Sequence, residues 1–577
     1  MVSVKEFKSN LVFAWQFARG QKKRLILYFL CNLIHVVISV IVPIFSAKVI
    51  VYLTDNLLIQ VVAVSFVLCL VSCADGLAFY LSSYFAQRIY RETFVEIQSN
   101  LGAEILKLQN KCIDENSTGV FIQRLTGDTS KIADIFNVLH NYLSNILADI
   151  GIFFAVFIIS PIAFVALLLM VLCIGYFENI RARKFNEKDK GFREKKERVS
   201  GFVGELVRGV RDIKMLSAEK SFMRELRGRV VDLNQYRYDM IATSRNYRLL
   251  IGTLRNLFNF LMICLLVYLI FIDKLVIASA LVIHNYMGRV TSIVNFYSML
   301  LDSVKDFNLS AKRIFGIMNS DEFPKEIFGT KHLEKVKGNF EFCDVDFGYG
   351  DTPVLRHINF KVNARETVAF VGKSGSGKST IFSLLCKMYE IQSGKIMIDG
   401  VDIQELDRAS IRDNITIINQ NPYIFNVSIR DNLRLVREDI TQEEIEEACH
   451  AACLDELIQV LPDGYDTIVG EGGITLSGGQ RQRLAIARAL VQKTRIILFD
   501  EATSALDNET QSKIQQAIEH MQGDYTILII AHRLSTVIHA DRILFLNDGV
   551  IEDSGTHQEL LKKNANYKRL YEAEMKE

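Results

Sequence analysis

The sequence carries almost no net charge: 67 lysines and arginines stand against 66 acidic residues. That balance excludes a nucleic-acid binder relying on bulk positive charge. Its ten cysteines show neither a zinc-ligand spacing nor a dense secreted framework. Several lie in apolar runs (Cys69, Cys73, Cys173, Cys264) and read as reduced, buried small hydrophobes. Cys449 and Cys453, one helical turn apart, leave a redox pair open as the alternative. The opening stretch, MVSVKEFKSNLVFAWQFARGQKKR, lacks a small-residue cleavage site behind an apolar core. Neither a signal peptide nor a transit peptide is expected there.

What the chain has in quantity is long apolar sequence. At 577 residues it exceeds one hydrophobic core, and it is 50% apolar yet 23% charged. A membrane domain joined to a soluble domain fits that mixture. A span needs about 20 apolar residues, and six stretches qualify: 25–47, 57–85, 139–159, 162–180, 249–272 and 275–300. Short breaks (TDN, SP, IDKL) pair them into three helical hairpins. The intervening connections, 86–138 and 181–248, are long, charged and helical in pattern. Lys- and Arg-rich segments such as QKKR and RARKFNEKDKGFREKKER place those connections and both termini on the cytoplasmic side. Two cytoplasmic stretches, 116–132 and 202–222, read either as solvated helices or as docking elements.

Beyond Asn319 the pattern changes to alternating strands and helices. VAFVGKSGSGKSTIFSLL is an apolar strand, a glycine-rich loop and a helix, with Gly372, Gly377, Lys378 and Ser379 at G-x-x-x-x-G-K-[ST] spacing. Glycines there let backbone N–H groups wrap phosphates; the lysine neutralises β and γ oxygens, and the serine hydroxyl ligates Mg²⁺. Downstream, four apolar residues from Ile496 to Phe499 lead into Asp500 and Glu501. A buried parallel strand ending in a carboxylate suits an aspartate in a Mg²⁺ shell. Glu501 is then placed to polarise a water in line with the γ-phosphate.

Between these motifs, Leu476–Gln480 reads LSGGQ at the start of an amphipathic helix. With it the chain resembles the ATP-binding cassette exporters over nearly its whole length. The resemblance implies a multidomain membrane protein: an all-α six-span transmembrane domain over 1–320, a linker over 321–337, and an α/β P-loop ATPase domain over 338–577. It implies ATP and Mg²⁺ as cofactors. Tyr349 resembles the aromatic that stacks on adenine, and Gln420 the Q-loop glutamine, a metal ligand with Ser379 and Asp500. Asp507 resembles the D-loop aspartate and His532 the switch histidine, so that Glu501, His532 and Gln420 form the catalytic set. Gly372, Ser374, Gly375, Gly377, Lys378, Ser379 and Thr380 of one cassette face Ser477, Gly478, Gly479 and Gln480 of a second, with ATP between. A second half-transporter is therefore implied. The intact motifs favour an identical chain, and a degenerate partner stays open. One departure is Gly472, where many exporters carry an arginine after the glutamate matching Glu471. Gly119, Arg124 and Asp128 resemble the pattern around a first coupling helix, and Glu205, Gly209 and Lys214 that around a second.

The cargo is less legible. The absence of a cysteine-protease domain ahead of the first span argues against the peptide exporters that trim their own cargo. Along the sixth span Asn285, Gly288, Arg289, Ser292 and Asn295 share one helical face. Arg289 lies about 22 Å in from Lys274, where an unpaired charge costs about 2.5–3.5 kcal/mol. Arg289, with Arg255 of the fifth span, Asn285 and Ser292, either lines a cavity for an amphipathic drug, lipid or peptide, or Arg289 is fixed by Asp75 or Asp149. Export from the cytoplasm or inner leaflet of a bacterial plasma membrane is the expected activity. An importer on the same frame, a lipid flippase and an ATP-gated channel or regulator are the alternatives. Membrane lipids are expected partners; nucleic acid is not.

Overall fold

The computed structural model describes residues 4–574 apart from 291–292, 320–321, 351, 471–472, 501–507 and 532–536. At 4, 140, 143, 290, 294–295, 297–298, 508–510 and 574 it describes the backbone alone. Contacts divide the chain into two units: Met1–Leu106 with Ser117–Phe323, and Lys107–Asn116 with Pro324–Glu577.

The first unit is all helical: α1 (Val4–Ala18), α2 (Lys22–Thr54) and α3 (Leu58–Ile105) come first. After α4 (Asn110–Glu115), which belongs to the second unit, follow α5 (Thr118–Gln123), α6 (Thr129–Ile159), α7 (Pro161–Arg208), α8 (Val210–Met215), α9 (Glu219–Phe271), α10 (Ile277–Val290) and α11 (Ile293–Asn319). Among the described residues five helices are long and apolar enough to cross a membrane. The sixth expected span, 275–300, falls on α10 and α11, with residues outside the described set between them.

The expected breaks are where the helices turn. Asn56 and Asp273 take left-handed backbone (φ 56° and 57°), a conformation that short polar side chains tolerate. Ser160 caps α7 through its Oγ, which accepts from the Ala163 N–H at 3.3 Å, and Pro161 occupies the first helical position. The charged connections continue as helix well beyond the apolar windows, because Lys, Arg and Glu are good helix formers.

Apolar residues of α2, α6, α7, α9 and α10 close one core, including Ala47, Ile152, Leu167, Met262 and Ile283. The Tyr286 hydroxyl donates to the Val40 carbonyl at 2.7 Å, and Asn32 Nδ2 donates to Ser82 Oγ at 2.6 Å. Polar groups in apolar surroundings are thus satisfied between helices. Large apolar side chains such as Phe66, Phe79, Phe154 and Leu172 stay exposed on the spans, as a lipid-facing surface requires. Cys69, Cys73 and Cys264 share that surface instead of being buried, and all ten cysteines are free thiols. Cys449 is buried, Cys453 is half-buried, and no disulfide joins them.

The second unit holds two main sheets. A six-stranded sheet runs in the order Val550–Gly555, Arg542–Asn547, Thr367–Gly372, Thr526–Ile530, Ile496–Asp500, Ile415–Ile418, parallel except at its first strand. Its central strands are apolar on both faces, as parallel strands covered on both sides must be. The other sheet is antiparallel, of Thr352–Val362, Phe340–Tyr349, Ser393–Ile398 and Val401–Asp402. Stacked Phe342 and Phe360 (4.6 Å between centroids) help fill the core beneath it.

The α4 segment joins this unit by backbone. Gln109 N–H donates to the Pro324 carbonyl at 3.0 Å, and Glu326 N–H to the Lys107 carbonyl at 2.8 Å. Tyr389 OH donates to Asp114 Oδ2 at 2.5 Å. The segment docked on the soluble unit is therefore 107–116, just ahead of the expected 116–132. Gly119, Arg124 and Asp128 lie in the helical unit, where Asp128 is buried and accepts from Ser310 Oγ at 2.8 Å. Within 202–222, Gly209 separates α7 from α8, and α8 ends in the highly exposed Met215 and Leu216.

Candidate functional site

The phosphate loop begins where the buried strand Thr367–Gly372 ends and the helix Lys378–Leu385 starts. Gly375 and Gly377 adopt φ values of 80° and 99°, which side chains with a Cβ rarely take. At Gly377 an added Cβ also meets Leu355 Cδ2 at 2.5 Å. These turns leave the loop amides at the helix N-terminus, where an anion is favoured by dipole and by donors.

Lys378 is buried, and its Nζ donates to the Gly372 and Lys373 carbonyls at 2.8 and 2.9 Å. The ammonium is thus held at the rim of the loop by backbone. Ser376 is buried too, and its Oγ has no hydrogen-bond partner among the described residues. A buried hydroxyl without a partner is costly, and a phosphate oxygen in the loop satisfies it. Ser374 is exposed at the loop tip, and Thr380 is buried in the first turn.

Ser379 Oγ donates to Asp500 Oδ1 at 3.0 Å. Two residues 121 positions apart therefore meet at the end of the parallel sheet, as hard oxygen donors of the kind Mg²⁺ prefers. Gln420, expected as a third ligand, follows the strand Ile415–Ile418; its side chain is exposed and its carbonyl accepts from Gln482 Nε2 at 3.0 Å. That bond ties the Q-loop backbone to the LSGGQ helix. Glu501, Asp507 and His532 lie outside the described residues, as do Glu471 and Gly472.

Ser477 is the N-cap of the helix Gly478–Gln492. Its Oγ accepts from Gln480 N–H at 3.3 Å, and Gln480 Oε1 accepts from Ser477 N–H at 2.8 Å, a reciprocal capping box. The signature residues are thereby already an N-terminal cap, and Gly478 and Gly479 form the first turn. Tyr349 is 46% exposed and braced edge-on by Phe347 and Tyr389, at 5.0 and 5.2 Å between centroids. The Tyr389 brace and its bond to Asp114 are features no motif announces.

In the helical unit Arg289 Nε lies 3.7 Å from Asp149 Oδ1, and the Asp149 side chain is only 5% exposed. Of the two candidate aspartates, Asp149 is the one that faces Arg289. Asp75 instead pairs with His35, Nδ1 to Oδ1 at 2.7 Å. Asn285 and Arg255 are exposed, and Ser292 lies outside the described residues.

The matches to known families follow these two halves. Residues 25–294 match the ABC transporter transmembrane region, and residues 355–504 match the ABC transporter domain. The ATP-dependent lipid A-core flippases of Salmonella typhimurium and Escherichia coli K12 are each 31% identical over 512 residues, 86% of both chains. In fold, the chain matches a bacterial Atm1-family ABC exporter solved with ATP bound. That match has a TM-score of 0.81 at 24% identity and covers 96% of this chain and 100% of the other.

Proposed function

Because the chain belongs to the ABC transporter family, as an exporter-type half-transporter that couples ATP hydrolysis to transport, we propose that two identical copies assemble head to tail. In each of two composite sites, Gly372–Thr380 of one copy and Ser477–Gln480 of the other enclose one ATP. The reading rests above all on the Ser379–Asp500 bond beside the buried Lys378. Lys378 exchanges its carbonyl contacts for β and γ oxygens, and the Ser376 hydroxyl gains the acceptor it lacks. Tyr349 offers a braced ring face to adenine. Ser379, Asp500 and Gln420 would hold Mg²⁺, which would supply charge neutralisation on the phosphates. Glu501 orients and deprotonates the attacking water, His532 contacts the γ-phosphate, and Asp507 bridges the two cassettes.

Six spans per copy form the pathway, with both termini and the ATPase domain on the Lys- and Arg-rich cytoplasmic face. The apolar tip of α8, with Met215 and Leu216 exposed, is suited to dock on the cassette of the second copy. Closure of the cassettes around ATP then moves the spans and gives alternating access.

The cargo is an amphipathic lipid taken from the cytoplasmic leaflet of a bacterial membrane and carried outward. Support comes from the lipid A-core flippase relatives and from the polar stripe of Asn285, Arg289 and Ser292 on an otherwise apolar helix. ATP-driven accumulation of a fluorescent lipid in inside-out vesicles, lost in Glu501→Gln, is the expected result. Accumulation only in right-side-out vesicles overturns the direction. ATPase activity that no lipid stimulates, while drugs or peptides do, overturns the cargo.

A further inference from the structure

Two adjoining apolar cavities, of about 330 and 440 Å³, open on the surface of the helical unit and share Phe29 of α2. Their walls come from three helices: α1 contributes Val12 and Trp15, α2 the row from Leu25 to Val36, and α6 Phe136 and Leu147. α1 is held by its other face, where Phe13 and Phe7 meet Phe315 and Phe307 of α11 edge-on and Asn10 Nδ2 donates to Asn308 Oδ1. The Trp15 ring touches Phe136 at 5.9 Å between centroids, bridging α1 and α6. The groove is thus a fixed furrow between anchored helices.

Its length and its mouth identify the occupant. From Leu25 to Val36 the α2 wall rises about 16 Å, close to half of the roughly 30 Å hydrocarbon core. One leaflet's acyl chain fills that depth. At the foot of the row stands Lys22, on the same helical face as Leu25, Ile26, Phe29 and Leu33 (i, i+3, i+4, i+7, i+11). Lys23 and Arg19 adjoin it, and all three are exposed. Among the described residues no acidic side chain pairs with Arg19, Lys22 or Lys23, whereas Arg24 is turned onto Gln21.

We propose that this groove is a binding site for an anionic phospholipid of the cytoplasmic leaflet, with its phosphate on Lys22 and Lys23 and one acyl chain along Phe29 and Leu33. Each basic residue near a membrane surface adds about 1 kcal/mol toward an anionic lipid. A zwitterionic headgroup forfeits most of that preference. The site is lined by α1, α2 and α6 and shares no residue with the polar stripe proposed for cargo.

The chain holds one tryptophan, Trp15, and it lines the groove. Its fluorescence therefore reports occupancy in the intact protein reconstituted in nanodiscs. Brominated phosphatidylglycerol at low mole fraction is expected to quench Trp15 at least about threefold more than brominated phosphatidylcholine. The difference disappears in Lys22→Gln/Lys23→Gln and survives in Lys22→Arg/Lys23→Arg, which controls for folding. Equal quenching by the two lipids in the unsubstituted protein overturns the proposal. So does a preference that persists in Lys22→Gln/Lys23→Gln, because the anionic lipid is then held elsewhere.

Discussion

Arg289 and Asp149 show how a single pair decides what a polar residue in a span is for. Asp149 is almost wholly buried, and the guanidinium is its only ion-pair partner among the described residues. Removing the cation leaves a buried charge uncompensated, a loss of about 3–5 kcal/mol. Arg289→Met is therefore expected to reduce the folded yield sharply in size-exclusion profiles, and Asp149→Asn in the same chain to restore it. Restored yield with lost lipid-stimulated ATPase assigns Arg289 a cargo contact as well. Thiols give a second residue-scale expectation. Burial pushes the Cys386 and Cys449 thiols up to about 12, so both stay protonated and unreactive at pH 8. Neither should take up a maleimide in the folded protein, and both should after denaturation, as peptide mass mapping will show. Gly372, Gly377, Lys378 and Ser379 were readable from sequence because their work is done by a contiguous loop. The partner of Arg289 was narrowed to Asp75 or Asp149, of which the structure selects Asp149, whereas the His35 partner of Asp75 was not readable. Helical periodicity gives the face on which Asp149 or His35 lies, but only the packing of α6 against α10, and of α2 against α3, selects who meets whom.

At the scale of elements, the signature helix carries two duties on the same atoms. Ser477 and Gln480 close a capping box at the end that is proposed to meet a γ-phosphate. Loss of an N-cap costs about 1 kcal/mol, which for a domain of 150–250 residues lowers the melting midpoint by about 2–4 °C. Ser477→Ala should show that modest shift in calorimetry together with an ATPase loss of at least about tenfold, the scale of a missing phosphate donor. A melting shift with unchanged hydrolysis makes the serine a cap alone. Helix lengths were only partly readable. The apolar windows found the membrane segments, whereas α3, α7 and α9 continue through charged sequence that hydropathy marks as connection. α1 carries too few apolar residues for a span, and its contacts with α11, α3 and α6 define it as an element. Hydropathy and polar patterning do not mark the short NKCIDE turn, which lies just ahead of 116–132 and carries the contacts within the second unit.

For the whole molecule, composite sites make a prediction that no single chain can satisfy. A copy with Lys378→Ala and a copy with Ser477→Ala should each be inactive as homodimers. Co-expressed, they form a dimer in which one of the two sites has both halves intact and the other has neither. ATPase recovery toward half of the unsubstituted level in the mixed dimer, isolated through two affinity tags, is the expected outcome. No recovery, with dimers confirmed by mass, means that each site is completed within its own chain. The near-neutral overall charge conceals a strong segregation, with basic residues crowded beside the spans. That bias is the ground for the proposed orientation of the chain, and the proposed pairing of copies rests on a phosphate site that one cassette leaves incomplete.

The position of α4 also sets a timetable. The Asp114 carboxylate must wait for Tyr389, 275 residues later in the chain. At a synthesis rate of about 5–20 residues per second that is roughly 14–55 seconds. The membrane helices on either side have emerged long before the surface that receives the turn between them exists. For that interval the turn is a bound peptide without its receptor, and an early-made segment is captured by a late-made one. Substitutions at Cys112 or Asp114 then act as delays in maturation, visible as a longer window of protease sensitivity in nascent chains, even where the finished transporter hydrolyses ATP at its usual rate.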